Sequence, residues 1–461
     1  MLIDPSALER AYELLEQSKL HYQGLPVGTV AARDPLMVAP NYEECFVRDF
    51  VPSALVFLMD DQSDIVRHFL TTVLHLRHQQ PVMEGHQRAP GLMPASFKVV
   101  YDHRGDEHIQ ADFGDRAIGR VAPVDSGLWW LILLRAYVVA TGDSAFAASA
   151  EFQDGIRLTL SLYLKESFET SPAMLVPDAA FMIDRRMGVH GHPLEIQALF
   201  YRAMLAAQEL LLPSEENAGL LDMVGKRLQT LRSYVRIYYW LDIERLNEIH
   251  RFKAEEFGHE AVNVLNIYPE SIPDWLDGWL SVGTGYLAGN LGPGRMDFRY
   301  FALGNLLSII FGLATEEQAQ GIMSLHQEHW EELVGDMPMK ILYPAARGDE
   351  WAFLTGNDPK NVPWSYHNGG SWPALLWAFA GAALATGRGY LLERAVTMAA
   401  DRLPRDQWPE YYDGKQGSLI GRRSNFFQTW SCTALIIAQK LLDNPDGFET
   451  FHRLLGERPE I

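Results

Sequence analysis

Two carboxylates stand in aromatic, glycine-punctuated stretches where a side chain could do chemistry. Asp184 lies in FMIDRRMGVHGHPLEIQ, between an apolar run and the cations Arg185 and Arg186; Gly188 and Gly191 break the loop, and Pro193 opens an apolar helix. Glu410 lies in DQWPEYYDGKQG, between Trp408 and Tyr411–Tyr412. Two carboxyls on different loops of one aromatic-walled cleft are the minimum equipment for cleaving a glycosidic bond. One protonates the leaving oxygen and the other activates water on the opposite sugar face. An isolated Asp-Arg-Arg is more often a helix cap beside solvated arginines. Recurrence argues otherwise here, because five further loops share the same make-up. Composition alone selects no pair, since a six-loop cleft on a chain of net charge −20 holds many acids.

The other loops supply groups that could hold a sugar, which offers polar rims and apolar faces. NYEECFVRDF carries Arg48–Asp49 between aromatics, just before Pro52. A long region from Gly91 to Trp130, too rich in Phe, Tyr and Trp to be disordered, ends on Asp125, Trp129 and Trp130. YLAGNLGPGRMDFRYFALGN carries Asn290, Arg295 and Asp297 on a Gly-Pro turn; GNDPKNVPWSYHNGGSWPALLW gathers Trp364, Tyr366, His367, Asn368 and Trp372 around Gly369–Gly370. The stretch after Glu410 adds Arg422, Arg423 and Gln428. Asp125 is equally an N-cap candidate. Metal chemistry is disfavoured: His190-x-His192 has a chelating spacing, but no cysteine or acidic pair completes a site. No P-loop or dinucleotide-binding glycine motif is present, which disfavours nucleotide chemistry.

Helices must position these loops, because nearly every long segment has helical rather than alternating periodicity. Short pieces such as Phe97–Tyr101 read as small hairpins within loops. Six very apolar helices follow the polar-aromatic loops, starting near Pro52, Asp125, Pro193, Asp297, Ser371 and Asn425, at intervals of 73, 68, 104, 74 and 54 residues. Amphipathic helices such as Ser63–Arg77, Phe152–Phe168 and Gly389–Leu403 lie between them. Helices apolar all round are buried and those with a polar face are at the surface. The pattern therefore predicts an all-α (α/α)6 barrel, an inner ring inside an outer ring, with the loops converging at one end. An open solenoid would instead spread them along a concave strip. No linker or low-complexity tract divides residues 1–461, so one catalytic domain is expected. Placement in converging loops makes Arg48, Asp49, Asp125, Arg185, His367, Trp372 and Gln428 the expected substrate-binding set.

The bulk numbers agree with a neutral ligand. With 461 residues, 48% of them hydrophobic, the chain can bury a large core, and 39 basic against 59 acidic residues argue against binding nucleic acid or an anionic membrane. Cys45 and Cys432 make no disulfide framework and read as buried small hydrophobes. The start, MLIDPSALERAYELLEQSKL, is a capped amphipathic helix rather than a signal peptide, and the most apolar window, GLWWLILLRAYVVA, is too short to span a bilayer. A cytoplasmic protein is expected. The outer helices allow a homo-oligomer, although no patch stands out.

Eight segments go further: NYEECFVRDFVPSALVF, GLMPASFKV, GRVAPVDSGLWWLILLRAY, FMIDRRMGVHGHPLEIQALFYRAM, NVLNIYPESIPDW, GYLAGNLGPGRMDFRYFALGN, NVPWSYHNGGSWPALLW and DQWPEYYDGKQGSLIGRRSNFFQTWS. The chain resembles the alkaline/neutral invertases, sucrose hydrolases of plants and cyanobacteria, from about Asn41 to Leu441. The resemblance implies an (α/α)6 barrel and inverting, cofactor-free and metal-free hydrolysis of sucrose to glucose and fructose. It places the acid in MIDRRMG, at Asp184, and the base in WPEYYDG, at Glu410. The two carboxyls should then stand roughly 6.5–9.5 Å apart. The absence of a transit-type extension is expected of a bacterial, cyanobacterial member. His190 and His192 stand where the family motif carries tyrosine and are expected to border the cleft. Sequence neighbours alone point the other way for the roles, because the cations beside Asp184 lower a carboxyl pKa. Two other readings remain: a trehalase-like inverting glucosidase on the same fold, and a sugar-binding protein without catalysis, which would lack one carboxylate.

Overall fold

The computed structural model describes residues 5–35, 40–78, 89–116, 121–164, 172–176, 179–183, 185–256, 258, 261–292 and 295–456. In chain order the principal helices begin with α1 (Pro5–Gln17), α2 (Val47–Met59), α3 (Ser63–Leu76), α4 (Ser126–Thr141), α5 (Ala150–Tyr163) and α6 (Leu194–Leu210). They continue with α7 (Glu215–Tyr238), α8 (Ala302–Ile310), α9 (Glu316–Glu328), α10 (Leu376–Ala385), α11 (Gly389–Arg405), α12 (Thr429–Asp443) and α13 (Pro445–Leu455).

The even-numbered helices are the apolar ones, buried on nearly every side. Each touches the next, and α12 closes against α2, so the six form a continuous ring. The odd-numbered helices pack outside: α3 on α2 and α4, α5 on α6 and α7, α7 on α6, α9 on α8 and α10, and α11 on α10 and α12. The N-terminal α1 fills the last outer position, against α11 and α12. This is the (α/α)6 toroid, and its closure rules out an open solenoid. Small residues let the ring tighten: a Cβ on Gly304 of α8 would lie 2.8 Å from the Glu195 backbone nitrogen of α6.

Helix α13 follows the end of α12 directly and packs against α2, α4, α10 and α12, burying Phe451, Leu454 and Leu455. A Cβ on Gly381 of α10 would come within 2.6 Å of the Phe451 ring. The last carbonyls of α13 have no helical partner of their own. Arg135 of α4 donates to the carbonyls of Arg453 and Leu454, and Arg202 of α6 to that of Leu455. Two guanidiniums at a helix C-terminus also suit its negative end.

Small sheets hang on the loops that enter the ring. β1 (Cys45–Phe46), β2 (Ser96–Tyr101) and β3 (Glu107–Asp112) pair antiparallel, with Cys45 opposite Phe97 and Ser96 opposite Asp112; the hairpin read at Phe97–Tyr101 is β2 and β3. A larger sheet contains β4 (His192–Pro193), β5 (Trp240–Asp242), β6 (Gly285–Gly292), β7 (Arg295–Phe301) and β8 (Leu342–Tyr343), in the order β8–β7–β6–β4 with β5 on β6. Two expected boundaries move. DFRYF, expected to begin an inner helix, is strand β7: it pairs with β6 across the Gly-Pro turn, and α8 starts only at Ala302. Helix α2 begins at Val47 rather than near Pro52, which lies buried inside it. Both cysteines are free and buried, as expected.

Candidate active site

A cavity of about 530 Å³ opens where the loops enter the inner helices, within the size range of small-ligand sites. The loop before α2 contributes Tyr42 and the first turn of α2 Arg48 and Asp49; the loop before α6, Phe181, Met182 and Arg186; the loop before α10, Lys360, Tyr366, His367 and Trp372. Glu410 and Trp430 come from the approach to α12 and its first turn.

Glu410 is 2% exposed. Its backbone N–H donates to Asn425 O at 2.9 Å and to Ser424 Oγ at 3.0 Å. The chain reaches it through Gln407 and Trp408, both at positive φ (62° and 54°), a backbone that costs a bulky residue energy and that surrounding structure must hold. The Tyr42 hydroxyl donates to Glu410 Oε1 at 2.6 Å, across 368 residues of sequence. The Lys360 ammonium stands 4.0 Å from Oε2 and 3.7 Å from the centre of the Tyr366 ring. One carboxylate oxygen is thus fixed by a hydroxyl, and the other has a cation and the Asn425 amide, at 3.5 Å, beside it.

Arg48 and Asp49 occupy the first turn of α2, placed by the β1–β2 pairing just before it. Arg48 Nε donates to Asp125 Oδ2 at 2.6 Å. Burial weighs against the guanidinium charge, but Asp125, Asp49 and Glu195 together raise its pKa above the usual value. One cation among three carboxyls cannot compensate them all. Burial first, then the neighbouring Glu410 and Asp125, push Asp49 up to about 7 against the opposing pull of Arg48. Glu195 of α6 is pushed up to about 8, mainly by burial, although it accepts the Met182 N–H at 3.2 Å. Burial also raises Asp125. The base of the cavity therefore stores protons near neutral pH.

Aromatic rings form one wall. Tyr366 stacks on His367 with centroids 4.1 Å apart and planes at 13°; Trp372 stacks on Tyr411 at 5.4 Å and meets Trp430 edge-on at 5.7 Å. Burial and the cations Lys360, Arg48 and Arg186 hold the His367 pKa well below the usual histidine value, so its ring is neutral, able to accept or donate a hydrogen bond but not to carry charge. On the opposite side Arg116 lines the cavity, held 3.3 Å from the buried Glu44, which also accepts from Ser96 Oγ at 2.6 Å.

The structure thus brings Arg48, Asp49, His367, Trp372 and Glu410 onto one cavity surface. Asp125 lies behind it, 1% exposed, at the N-cap position of α4 but without a capping side-chain bond; its carboxylate meets Arg48 instead. Gln428 is fully buried at the start of α12, away from the cavity lining, and both its amide atoms lack a hydrogen-bond partner among the described residues. Asp184 and the side chain of Arg185 lie outside the described residues. The histidines do not border this cavity: His192 Nδ1 meets Leu291 O at 2.9 Å, and the His190 carbonyl accepts from Asn290 at 2.6 Å. The fourth loop also turns elsewhere, with Arg295 and Asp297 facing a second cavity. Sequence reasoning missed Tyr42, Lys360, Arg116 and Trp430. Tyr42 had a signal, its place in the same motif as Arg48; Lys360, Arg116 and Trp430 had none beyond proximity to a motif. Among the described residues no group of three or more His, Cys, Asp or Glu is disposed to hold a metal ion, and no helix is long and apolar enough to cross a membrane.

A toroid of this kind, with a buried glutamate and an aromatic wall at the mouth of its inner ring, is a glycoside hydrolase. Solved structures share the fold: a glycosidase in complex with glucose (TM-score 0.56, 14% identity, covering 96% of this chain and 99% of that one) and the mannosylglycerate hydrolase of Thermus thermophilus (TM-score 0.55, 12%, 94% and 99%). The model of the alkaline and neutral invertase family matches residues 11–445, and the chain belongs to that family. Similar relatives are cytosolic invertase 1 of Oryza sativa subsp. japonica (50% identical, covering 94% of this chain and 78% of the relative) and probable alkaline/neutral invertase F of Arabidopsis thaliana (50%, 94% and 88%). A mitochondrial alkaline/neutral invertase C of Arabidopsis thaliana is 48% identical, over 95% of this chain and 67% of the relative, so cytosolic and organellar proteins both occur among the relatives.

Proposed function

We propose that this chain is a cytoplasmic sucrose hydrolase, a single catalytic domain across residues 1–461 that releases glucose and fructose with inversion at the glucosyl carbon. Glu410 is the general base. It takes a proton from a water that attacks the anomeric carbon, while Asp184 protonates the departing fructosyl oxygen from the opposite side. The bond between glucosyl carbon and bridging oxygen breaks as the bond to water forms; one proton goes to Glu410 and one leaves Asp184. The observation that carries this reading is the setting of Glu410: buried at the cavity wall, oriented by the Tyr42 hydroxyl on one oxygen, with Asn425 Nδ2 at 3.5 Å and Lys360 Nζ at 4.0 Å from the other.

The substrate-binding roles follow from position. Arg48, braced by Asp125, presents a fixed guanidinium to sugar hydroxyls; Asp49 and the neutral His367 offer acceptors; Trp372, 1% exposed and stacked on Tyr411, backs the aromatic wall and holds His367 and Tyr366 toward the sugar. Arg185 completes the set from the Asp184 loop. Gln428 acts from behind the wall, through the start of α12. Proton NMR of the protein with sucrose tests the mechanism. The first glucose released is expected in the β form; α-glucose appearing first would overturn inversion at the glucosyl carbon, and no glucose would overturn the substrate.

A further inference from the structure

A second cavity, of about 1060 Å³, lies beside β7 and has one loop in common with the first, the one that carries Trp364 and Tyr366. Trp275, Tyr343 and Trp364 line it, and the buried Trp279 packs behind them. Trp275 meets Trp279 edge-on at 5.2 Å, Trp279 stacks on Tyr343 of β8 at 5.4 Å and 14°, and Tyr343 lies 5.7 Å from Trp364. The Arg347 guanidinium covers Trp364 at 5.1 Å. Tyr268, 51% exposed, stands at the edge. Large aromatic faces left half-open in a concave site, already packed against one another, lose little freedom when a ligand covers them.

The polar groups among these rings are planar and fixed. Arg299 Nε lies 2.9 and 3.1 Å from the two oxygens of Asp297, and Arg295 is 3.8 Å from Glu350. The Asp297–Arg299 pair presents fixed donor and acceptor edges with no net charge of its own. Arg347, spread over Trp364, and Lys415 also line the cavity, so the uncharged character of the ligand rests on the aromatic faces and is what the phosphorylated sugar tests below. Flat apolar faces alternating with fixed donor and acceptor edges match the two surfaces of a sugar ring.

We propose that this cavity is an accessory binding site for a neutral saccharide of one to three rings, separate from the catalytic cavity. The two share one partition, the turn Trp364–Ser365–Tyr366, with Trp364 facing the second cavity and Tyr366 the first; both sit at positive φ (67° and 48°).

The test uses the full chain carrying Glu410→Gln, which prevents turnover, with saturation-transfer NMR titrations of sucrose, glucose and maltotriose. At least one of these sugars is expected to bind in a way that Trp275→Ala weakens roughly tenfold, the scale of losing one aromatic face. Tyr268→Ala, at an exposed position, checks the result should Trp275→Ala disturb folding. The assignment is overturned if binding of all three sugars is indifferent to both substitutions. It is equally overturned if glucose 6-phosphate alone binds in a Trp275-dependent way. Sucrose turnover by the unmodified chain bears only on the catalytic reading, so the two can fail separately.

Discussion

The first cavity and the second are both walled by tryptophan and tyrosine, and both contain carboxylates, yet only the first is proposed to move protons. The difference lies in how many cations each carboxyl can claim. Beside β7, Asp297 is gripped by Arg299 through both oxygens, and Arg295 lies near Glu350. At the ring mouth, among the described residues, Arg48 is the cation that faces Asp49, Asp125 and Glu195, while Arg116 is held by Glu44 and Arg186 lies 3.1 Å from Asp358. A shortage of guanidinium in a buried layer leaves acids that titrate near neutrality; sufficiency leaves a rigid polar rim. Aromatic walls recognise sugar in either case, and the charge ratio separates binding from chemistry.

The sharpest break of that contrast is at the catalytic carboxyls. Glu410→Gln, and by the motif Asp184→Asn, should each lower sucrose turnover at least about 100-fold, measured by glucose release; near-normal turnover would remove that residue from the mechanism. Next is Tyr42→Phe, which strips one donor from Glu410. About tenfold of kcat should go, the scale of a hydrogen bond to a charged group, with KM little changed. An unchanged kcat would reduce Tyr42 to packing.

A smaller effect tests the crowded layer itself. Because the folded pKa of Glu195, about 8, exceeds its unfolded value of about 4.3, the folded state holds a proton that the unfolded chain has lost between those pH values. Stability therefore falls as pH rises through that window. Glu195→Gln keeps an acceptor for Met182 without the charge, so its melting temperature should gain on the wild type between pH 5 and pH 8; parallel curves would refute this. The smallest effect is the control on the other cavity. Trp275→Ala should leave sucrose turnover within about twofold, and a large loss would join the two cavities into one functional site.

The fold was legible where burial is uniform. Helices such as SGLWWLILLRAYVVAT and LWAFAGAALA are apolar on every face, and only a surrounded helix tolerates that. The 104-residue interval before the fourth inner helix held the chief error. There RMDFRYF is apolar enough to be either helix or strand, and only its partner β6 decides. The same misreading sent Asn290, Arg295 and Asp297 to the wrong cleft. Motif residues such as Arg48, Asp49, His367 and Glu410 were found because their loops carry unusual composition. Lys360 and Arg116 were not, since a lysine or arginine in a polar loop resembles any solvated cation until the fold sets it over a tyrosine or beside a buried glutamate.

The ring also has a seam, and the seam sets an order of events during synthesis. Helix α1 is the outer partner of α12, and α2 is the inner neighbour of α12, so the earliest and latest parts of the chain meet at one joint. Until residues 429–443 have left the ribosome, α2 keeps one apolar flank uncovered and α1 has only α11 beside it. The α13 carbonyls that receive Arg135 and Arg202 arrive later still. Without α12 the ring has an open edge, on which α2 presents an apolar flank.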